Sequence, residues 1–215
     1  MRERSSSPSP ETGARPGQDP EADARVRGRL LGGQTVYEGR KFDLEVVTLR
    51  IDDGTEARRE ILRHPGAVTV LPLLDGPEGP ETVLVLNERD ATGRELLEFC
   101  AGTIDPGEPP DVCAGRELTE ETGLIASQLR PVGAFYTSPG MTDELMHCYV
   151  AIGNTQGELA LDDGERLRPL RMRVSDVWRA IDEGALVDGK SLAALTLAWR
   201  RGLFPGPNGA DEARG

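Results

Sequence analysis

Three observations predict an α+β protein built around a mixed sheet. Segments of strand character dominate the first two thirds of the chain, helical segments are few, and the two kinds do not alternate regularly. The chain of 215 residues is long enough for one domain with tails, or at most two domains. Because no interior linker rich in Gly, Pro or Ser divides it, we expect a single folded unit.

Both ends of the chain have the composition of disordered segments. Residues 1–24 contain four Ser, four Pro and two Gly, with Met1 as their only large apolar side chain, and residues 205–215 are similar. Such segments bury too little apolar surface to offset the entropy lost on ordering. The predicted organisation is a tail at 1–24, a strand region at 25–64, a main domain at 65–204 and a tail at 205–215.

The predicted strands are apolar runs bounded by turn residues. Residues 42–51 and 56–62 flank the sequence Asp-Asp-Gly, which is a hairpin signal. Residues 67–74 and 82–86 flank a turn-rich segment, which predicts a second antiparallel pair. Further strands are predicted at residues 95–100, 129–136, 145–152 and 167–174.

Three helices are predicted among these strands. They cover about residues 110–122, 176–183 and 192–201. Ser175 and Ser191 are the expected N-caps of the second and third helices, because a hydroxyl oxygen there accepts a backbone N–H of the first turn.

The charge of the chain excludes several classes of partner. With 25 Lys+Arg and 37 Asp+Glu, the formal net charge is −12 at pH 7, and this surplus repels nucleic-acid phosphate and anionic lipid. We therefore expect no nucleic-acid partner and no membrane partner. No apolar stretch is long enough to span a bilayer, and the N-terminus lacks the apolar segment of a secretory signal, which favours a soluble, cytoplasmic protein.

The three cysteines, Cys100, Cys113 and Cys148, show none of the paired spacings of zinc sites. Their odd number also argues against a disulfide framework. We expect them to be reduced and buried, as free cysteines usually are.

The segment from residue 102 to residue 124 holds the chemistry. On a helix over 110–122, Glu117, Glu120 and Glu121 stand at positions i, i+3 and i+4, so three like charges crowd one face. A solvated acidic helix is one interpretation of this run, and a site for a hard divalent cation such as Mg²⁺ or Mn²⁺ is the other. The spacing of the glutamates alone leaves the two interpretations about equal.

The full pattern decides between them. It runs Gly102, five residues, Glu108, seven residues, Arg116-Glu117, an apolar residue, any residue, Glu120-Glu121, any residue, Gly, apolar. This pattern is similar to the signature of the Nudix hydrolase family at every specified position. We call residues 102–124 the Nudix box.

The resemblance implies a fold and a metal site. The fold is an α/β/α sandwich around a mixed sheet, in which the box forms a loop, a helix and a loop. By resemblance, Glu117 and Glu121 are the principal ligands of Mg²⁺ or Mn²⁺, and Glu120 assists catalysis or bridges a further ion. The carbonyl of Ala101 completes the ligand set, and the residues that pin the loop and orient the glutamates are Gly102, Glu108 and Arg116.

Three further segments resemble the branch of ADP-ribose pyrophosphatases and nucleoside-diphosphate-sugar hydrolases. They are Ser-Pro-Gly at 138–140 with the residues to Glu144, the stretch 96–102 in which Cys100 replaces the usual Pro, and the region from about 36 to 68. In that branch the N-terminal strands are exchanged between two subunits, so the resemblance implies a homodimer. It also implies that Arg89 and Glu144 contact substrate and that Arg59 reaches the active site of the other subunit.

The resemblance places the catalytic base on the loop at 153–166. Of its acidic residues, Glu165 is the first choice and Asp163 the second. The implied activity is hydrolysis of ADP-ribose to AMP and ribose 5-phosphate, with a small nucleoside diphosphate as substrate. Two alternatives remain open, namely hydrolysis of a UDP- or GDP-sugar at the same site and a non-catalytic module that senses a nucleotide.

Overall fold

The structure is a computed structural model that describes residues 29–161 and 166–207. The predicted tail at 1–24 and most of the one at 205–215 lie outside these residues. The described strands are β1 Leu30–Glu38, β2 Asp43–Arg50, β3 Glu56–Arg63, β4 Ala67–Pro72, β5 Leu74–Gly76, β6 Gly79–Arg89, β7 Arg94–Glu98, β8 Cys100–Thr103, β9 Leu124–Ile125, β10 Gln128–Tyr136, β11 Leu145–Ile152, β12 Thr155–Gln156 and β13 Leu167–Arg173. The described helices are α1 Pro110–Thr122, α2 Val174–Asp182 and α3 Gly189–Arg200.

The N-terminal strands form an antiparallel sheet of their own, in the order β1-β2-β3. The hairpin predicted between β2 and β3 is present, and Gly54 adopts a φ of 85° in its turn. Asp53 accepts the N–H of Thr55 at 2.8 Å, which closes the turn locally. The predicted N-terminal antiparallel region is therefore confirmed.

Two larger sheets carry the rest of the chain. The first has the order β10-β11-β4-β8, and its β11 and β4 run parallel while the other pairs are antiparallel. The second has β6 at its centre, paired with β13 on one side and with β5 and β7 on the other. The mixed sheet of the predicted α+β class is confirmed.

Adjacent residues of the central strands face two different cores. Val70 of β4 packs in the cluster that includes α1, whereas Leu71 packs in the cluster that includes α2 and α3. Cys100 and Phe99 divide between the same two clusters. Because successive side chains of a strand point to opposite faces, this division gives the α/β/α sandwich that the sequence resemblance implied.

The predicted antiparallel pairing of the segments at 67–74 and 82–86 is wrong. β4 pairs with β8 and β11, and the partner of β6 across the turn is the short β5. The chain leaves the first sheet at Pro72, which has no N–H to donate to a ladder. The turn was located correctly, but it joins β5 to β6.

The second and third helices begin earlier than predicted. α2 begins at Val174 after Arg173, which makes no side-chain cap, and α3 begins at Gly189 after the N-cap Asp188. Ser175 and Ser191 therefore lie inside the helices instead of capping them. The three cysteines are free and buried, as predicted. Within residues 29–161 and 166–207, no helix is long and apolar enough to cross a membrane.

Candidate active site

The helix of the Nudix box has the limits that its sequence predicts. Pro109 precedes α1 and Pro110 occupies its first position, where a missing N–H costs nothing. Gly123 ends the helix in the left-handed conformation, with a φ of 69°, and its N–H bonds to the carbonyl of Thr119 at 2.8 Å. The loop before the helix folds back at Gly107, whose φ is 81°.

The glutamates of α1 differ in their exposure. Glu117 and Glu121 lie four residues apart and are buried, at 8% and 3% exposure, while Glu120 is partly exposed. Leu118 and Cys113 anchor the helix in the core beneath them. Burying carboxylates is costly unless charged or hydrogen-bonding groups meet them, so their surroundings must supply these groups.

Strand β8 supplies part of the surroundings. The N–H of Ala101 donates to Oε2 of Glu121 at 3.0 Å. The carboxylate of Glu117 lies directly over Gly102, so closely that a Cβ at this position would overlap it. Glycine is thus required at 102 by the close approach of the glutamate to the backbone.

Arg116 holds three carboxylates of the box together. Its Nε and Nη2 donate to the two oxygens of Glu108, both at 3.0 Å. Its Nη1 donates to Glu117 at 2.7 Å and to Glu120 at 2.9 Å. The pKa of the guanidinium is raised, mainly by the bonds to Glu108, and the same bonds lower the pKa of Glu108 to about 2.

The loop that precedes α1 is tied to this arginine. Glu108 accepts the N–H of Asp105 at 3.1 Å, and the carbonyl of Asp105 accepts the N–H of Glu108 at 3.0 Å. The loop therefore hydrogen-bonds to Glu108, and Glu108 bonds to Arg116. Arg116 in turn bonds to two of the helix glutamates. Glu108 and Arg116 thus join the loop to the helix, and their expected part in a metal site stays a prediction.

The donor chemistry of the box fits a hard cation. Burial raises the pKa of the Cys113 and Cys148 thiols to about 12 and that of Cys100 well above its usual value, so no thiolate competes as a ligand. The remaining donors are oxygens, which suit Mg²⁺ or Mn²⁺. Among the described residues, no group of three acidic, thiol or imidazole side chains lies close enough together to hold a metal ion.

A second charged cluster lies beside the box. It consists of four residues, which we call the Glu98 cluster: Arg89, Glu98, Asp188 and Lys190. Glu98 is 1% exposed and accepts bonds from Arg89 through both of its oxygens and from Nζ of Lys190. Nζ of Lys190 also donates to Asp188 at 2.8 Å.

Arg89 connects this cluster to the box. The pKa of its guanidinium is raised, first by the hydrogen bonds to Glu98 and then by the charges of Glu98, Asp188 and Glu121. The contribution of Glu121 means that Arg89 lies within electrostatic reach of the α1 glutamates. The sequence prediction of Arg89 as a site residue is thus compatible with its position.

The sequence reasoning did not identify Lys190 or Asp188. Both lie about 90 residues after Glu98 in the chain, at the start of α3, where a polar helix end is unremarkable. Spacing cannot reveal that this end contacts β7. A usable signal is the charge of Glu98 itself, because a carboxylate among the apolar residues of the stretch 96–101 requires cationic partners.

Arg59 and Glu144, two further predicted site residues, form their described hydrogen bonds outside the box. Arg59 is exposed on β3 in the N-terminal sheet, where its Nη1 donates to the carbonyl of Arg58 at 2.8 Å. Glu144 precedes β11, accepts the hydroxyl of Thr137, and has Oε1 at 3.9 Å from Nε2 of His64. Glu165 and Asp163, the predicted bases, lie outside the residues that the structure describes.

Comparison with known proteins gives a consistent family. The NUDIX domain matches residues 63–195. ADP-ribose pyrophosphatase of Bacillus subtilis (strain 168) is 32% identical over 169 residues, which cover 78% of this chain and 90% of that protein. The methanol dehydrogenase activator of Bacillus methanolicus is 35% identical over 175 residues, covering 78% and 93%. GDP-mannose pyrophosphatase of Yersinia enterocolitica (serotype O:8, biotype 1B) is 29% identical over 191 residues, covering 83% and 96%.

A solved structure supports the same relationship. The crystal structure of an ADP compounds hydrolase superposes with a TM-score of 0.69 at 26% sequence identity. The match covers 80% of this chain and 94% of the other. The similarity therefore extends over the N-terminal sheet or the C-terminal helices as well as the box, because the box alone is a small part of the chain.

Proposed function

The chain belongs to the Nudix hydrolase family, and from that premise we propose that it hydrolyses the pyrophosphate bond of ADP-ribose to AMP and ribose 5-phosphate. The observation that carries the proposal is the placement of Glu117 and Glu121 against β8, where Gly102 and the N–H of Ala101 receive their carboxylates. The name of the Bacillus subtilis relative supports the choice of ADP-ribose.

Nudix hydrolases generally need a divalent metal ion, and we propose Mg²⁺ here, with Mn²⁺ as the alternative. Glu117 and Glu121 are the proposed principal ligands, and Glu120 assists them. In an antiparallel strand the N–H and C=O of one residue point to the same side, so the carbonyl of Ala101 faces the side on which Glu121 lies. A bound cation would neutralise the charge of the pyrophosphate and activate the attacking water.

The protein's own residues then bind and orient the substrate. Arg89 is the proposed contact to a phosphate, since a guanidinium pairs well with phosphate oxygens in an acidic protein. Glu144 is the proposed contact to the nucleoside-sugar part, and Arg59 of one subunit is proposed to reach the site of the other. Glu165, with Asp163 as second choice, is proposed to take the proton of the water that attacks phosphorus.

A second substrate class has its own support. The Yersinia relative is named a GDP-mannose pyrophosphatase, and the box would act on the diphosphate of a GDP- or UDP-sugar in the same way. A third candidate, a nucleotide sensor without activity, has less support. All three helix glutamates are present, and a sensor would not need them.

The proposed assembly is a homodimer formed through the N-terminal sheet. All nine residues of β1 are exposed, including the apolar Leu30, Val36 and Tyr37. Apolar side chains on an edge strand favour burial against another surface, and a second copy of the chain is the proposed partner. A monomer in sedimentation equilibrium at working concentration would contradict this assembly. The cytoplasmic location expected from the sequence stays a prediction.

The test of function is product analysis. The purified full chain is incubated with ADP-ribose, UDP-glucose or GDP-mannose, each with Mg²⁺, with Mn²⁺ and with a chelator. We expect metal-dependent AMP from ADP-ribose at a higher kcat/KM than cleavage of either sugar nucleotide. Greater cleavage of GDP-mannose or UDP-glucose would replace ADP-ribose as the substrate, and no product from any of them would favour the sensor.

A further inference from the structure

The side chain of Glu98 is almost completely buried, at 1% exposure, at the end of β7. A buried carboxylate is stable only where cations meet it. Arg89 donates its Nε to Oε1 at 2.8 Å and its Nη2 to Oε2, and Nζ of Lys190 donates to the same Oε2. The side chain of Lys190 is itself only 12% exposed, so this pair is shielded from water.

Lys190 is held rigidly where α3 meets the strand. Asp188 is the N-cap of α3. Its Oδ2 accepts hydrogen bonds from Nζ of Lys190 and from the N–H and the hydroxyl of Ser191. The hydroxyl oxygen of Ser191 also accepts the N–H of Phe99 at 2.8 Å, directly after Glu98 in the chain. The first turn of α3 is therefore fixed to the end of β7 through both backbone and side chain.

Lys190 supplies one of the two positive charges that make the Glu98 cluster neutral. Two carboxylates and two cations make the Glu98 cluster neutral as a whole. Without Lys190 the cluster would carry a net negative charge beside Glu121, and it would repel a phosphate group. Lys190 also shares Oε2 of Glu98 with Arg89, so it fixes the carboxylate that orients the guanidinium.

Arg89 retains donors for a substrate. A guanidinium has five N–H groups, and the two bonds to Glu98 use two of them. Within the described part of the chain, no other acceptor bonds to this side chain. Its guanidinium is thus oriented from one edge, with its remaining donors available to an anion.

We propose that Lys190 is a positioning residue of this site: through Glu98 it orients Arg89 and offsets the carboxylate charge, so that Arg89 can bind the diphosphate of the substrate. The proposal rests on the role given to Arg89 under the proposed function. It assigns to α3, which lies far from the box in sequence, a part in binding substrate.

The experiment compares Lys190→Met with Lys190→Arg in the full chain. It measures KM and kcat with the best substrate of the panel, and the Kd of ADP, which carries a diphosphate, by calorimetry. We expect Lys190→Met to raise KM and the Kd of ADP about tenfold while kcat changes by less than about threefold. Lys190→Arg keeps the charge and is expected to restore most of the binding.

Two further variants separate positioning from other roles. In an Arg89→Met background, the additional substitution Lys190→Met is expected to change KM by less than about twofold, because its route to the substrate is gone. Thr82→Val is the control for stability. It removes a buried bond to the carbonyl of Pro72 near the other end of β6, and we expect a lower Tm with unchanged KM.

Three other outcomes overturn the proposal, and one bears on the proposed function alone. An unchanged KM and Kd in Lys190→Met, with only a lower Tm, would make Lys190 purely structural. An undiminished effect in the Arg89→Met background would mean that Lys190 acts without Arg89. A wild-type protein that binds ADP but cleaves no substrate refutes the proposed function alone, since the binding comparison still tests Lys190. A wild-type protein that neither binds ADP nor cleaves any substrate refutes both.

Discussion

The Nudix box and the Glu98 cluster lie side by side and are charged in different ways. The box holds the carboxylates of Glu108, Glu117, Glu120 and Glu121, of which the first three bond to the guanidinium of Arg116. The Glu98 cluster sets two carboxylates against two cations. The cluster is balanced in charge, whereas carboxylates outnumber cations in the described contacts of the box. Under the proposed function, a cation from solution completes the box, whereas the protein itself completes the cluster.

The strongest way to test this contrast is to remove one charge from the box without changing its shape. Glu121→Gln is expected to lower kcat by roughly 10³-fold, because a cation site that loses a carboxylate ligand loses several kcal/mol of transition-state stabilisation. Steady-state kinetics in Mg²⁺ measure the effect. Glu183→Gln, the same change at an exposed position on the end of α2, is the matched control and should retain full activity. Retained turnover in Glu121→Gln would refute the metal role of this residue.

The second prediction concerns the strand beneath the box. Gly102→Ala is expected to lower kcat by about 10²-fold, because the added Cβ must displace the carboxylate of Glu117 by about an ångström. The control is Gly115→Ala on α1, where a Cβ would meet Leu129 at an ordinary distance of 3.7 Å. Equal activity of the two variants would show that the placement of Glu117 over the strand does not matter for turnover.

The third prediction tests whether a cation can replace the guanidinium. In chelator, Arg116→Met is expected to lower Tm by about 5 °C, because three carboxylates lose their shared partner. Added Mg²⁺ or Mn²⁺ is expected to recover most of this loss and to raise Tm more than in the wild type. Arg171→Met removes an exposed pair with Glu81, and its Tm should respond to metal as the wild type does. If neither ion raises Tm in Arg116→Met, the surplus charge of the box does not recruit a cation.

The smallest expected effect is on how the free energy of unfolding falls at acid pH. The pKa of Glu108 is about 2 in the folded chain, below its ordinary value of 4.5, because of the bonds from Arg116. A depressed pKa stabilises the fold above the ordinary value, and this contribution is lost as pH falls from about 4.5 toward 2. At pH 6 the free energy of unfolding of Glu108→Gln is expected to be about 1 kcal/mol below that of the wild type. Near pH 2 the two proteins are expected to be almost equally stable. Urea unfolding at both pH values measures the difference, and equal gaps at both would contradict the prediction.

The parts of the site that could be predicted from sequence are local in the chain. The spacing of Glu117, Glu120 and Glu121 needs only the helical repeat to place them together, and the cap at Gly123 needs only its conformational freedom. Lys190 was not predicted because its proximity to Glu98 is created by the docking of α3 on β7. Sequence separation carries no information about such a contact.

The same division explains the success and the error in the fold. Each strand of the predicted hairpin at 42–62 has its partner next to it in the chain, and that pairing was predicted correctly. β4 pairs instead with β8 and β11, which come later in the chain, and its assumed pairing with β6 failed. Pairing between distant strands depends on the packing of both faces of the sheet, which apolar runs alone do not specify.

Only Phe99 separates β7 from β8, where the chain passes from one sheet to the other. Glu98 and Ala101 therefore sit at a fixed offset, one in each charged region. Inserting or deleting a residue here would turn every following side chain of β8 to the opposite face. Length variation between homologues and in engineered libraries should therefore be absent from residues 98–102, even where substitutions are accepted.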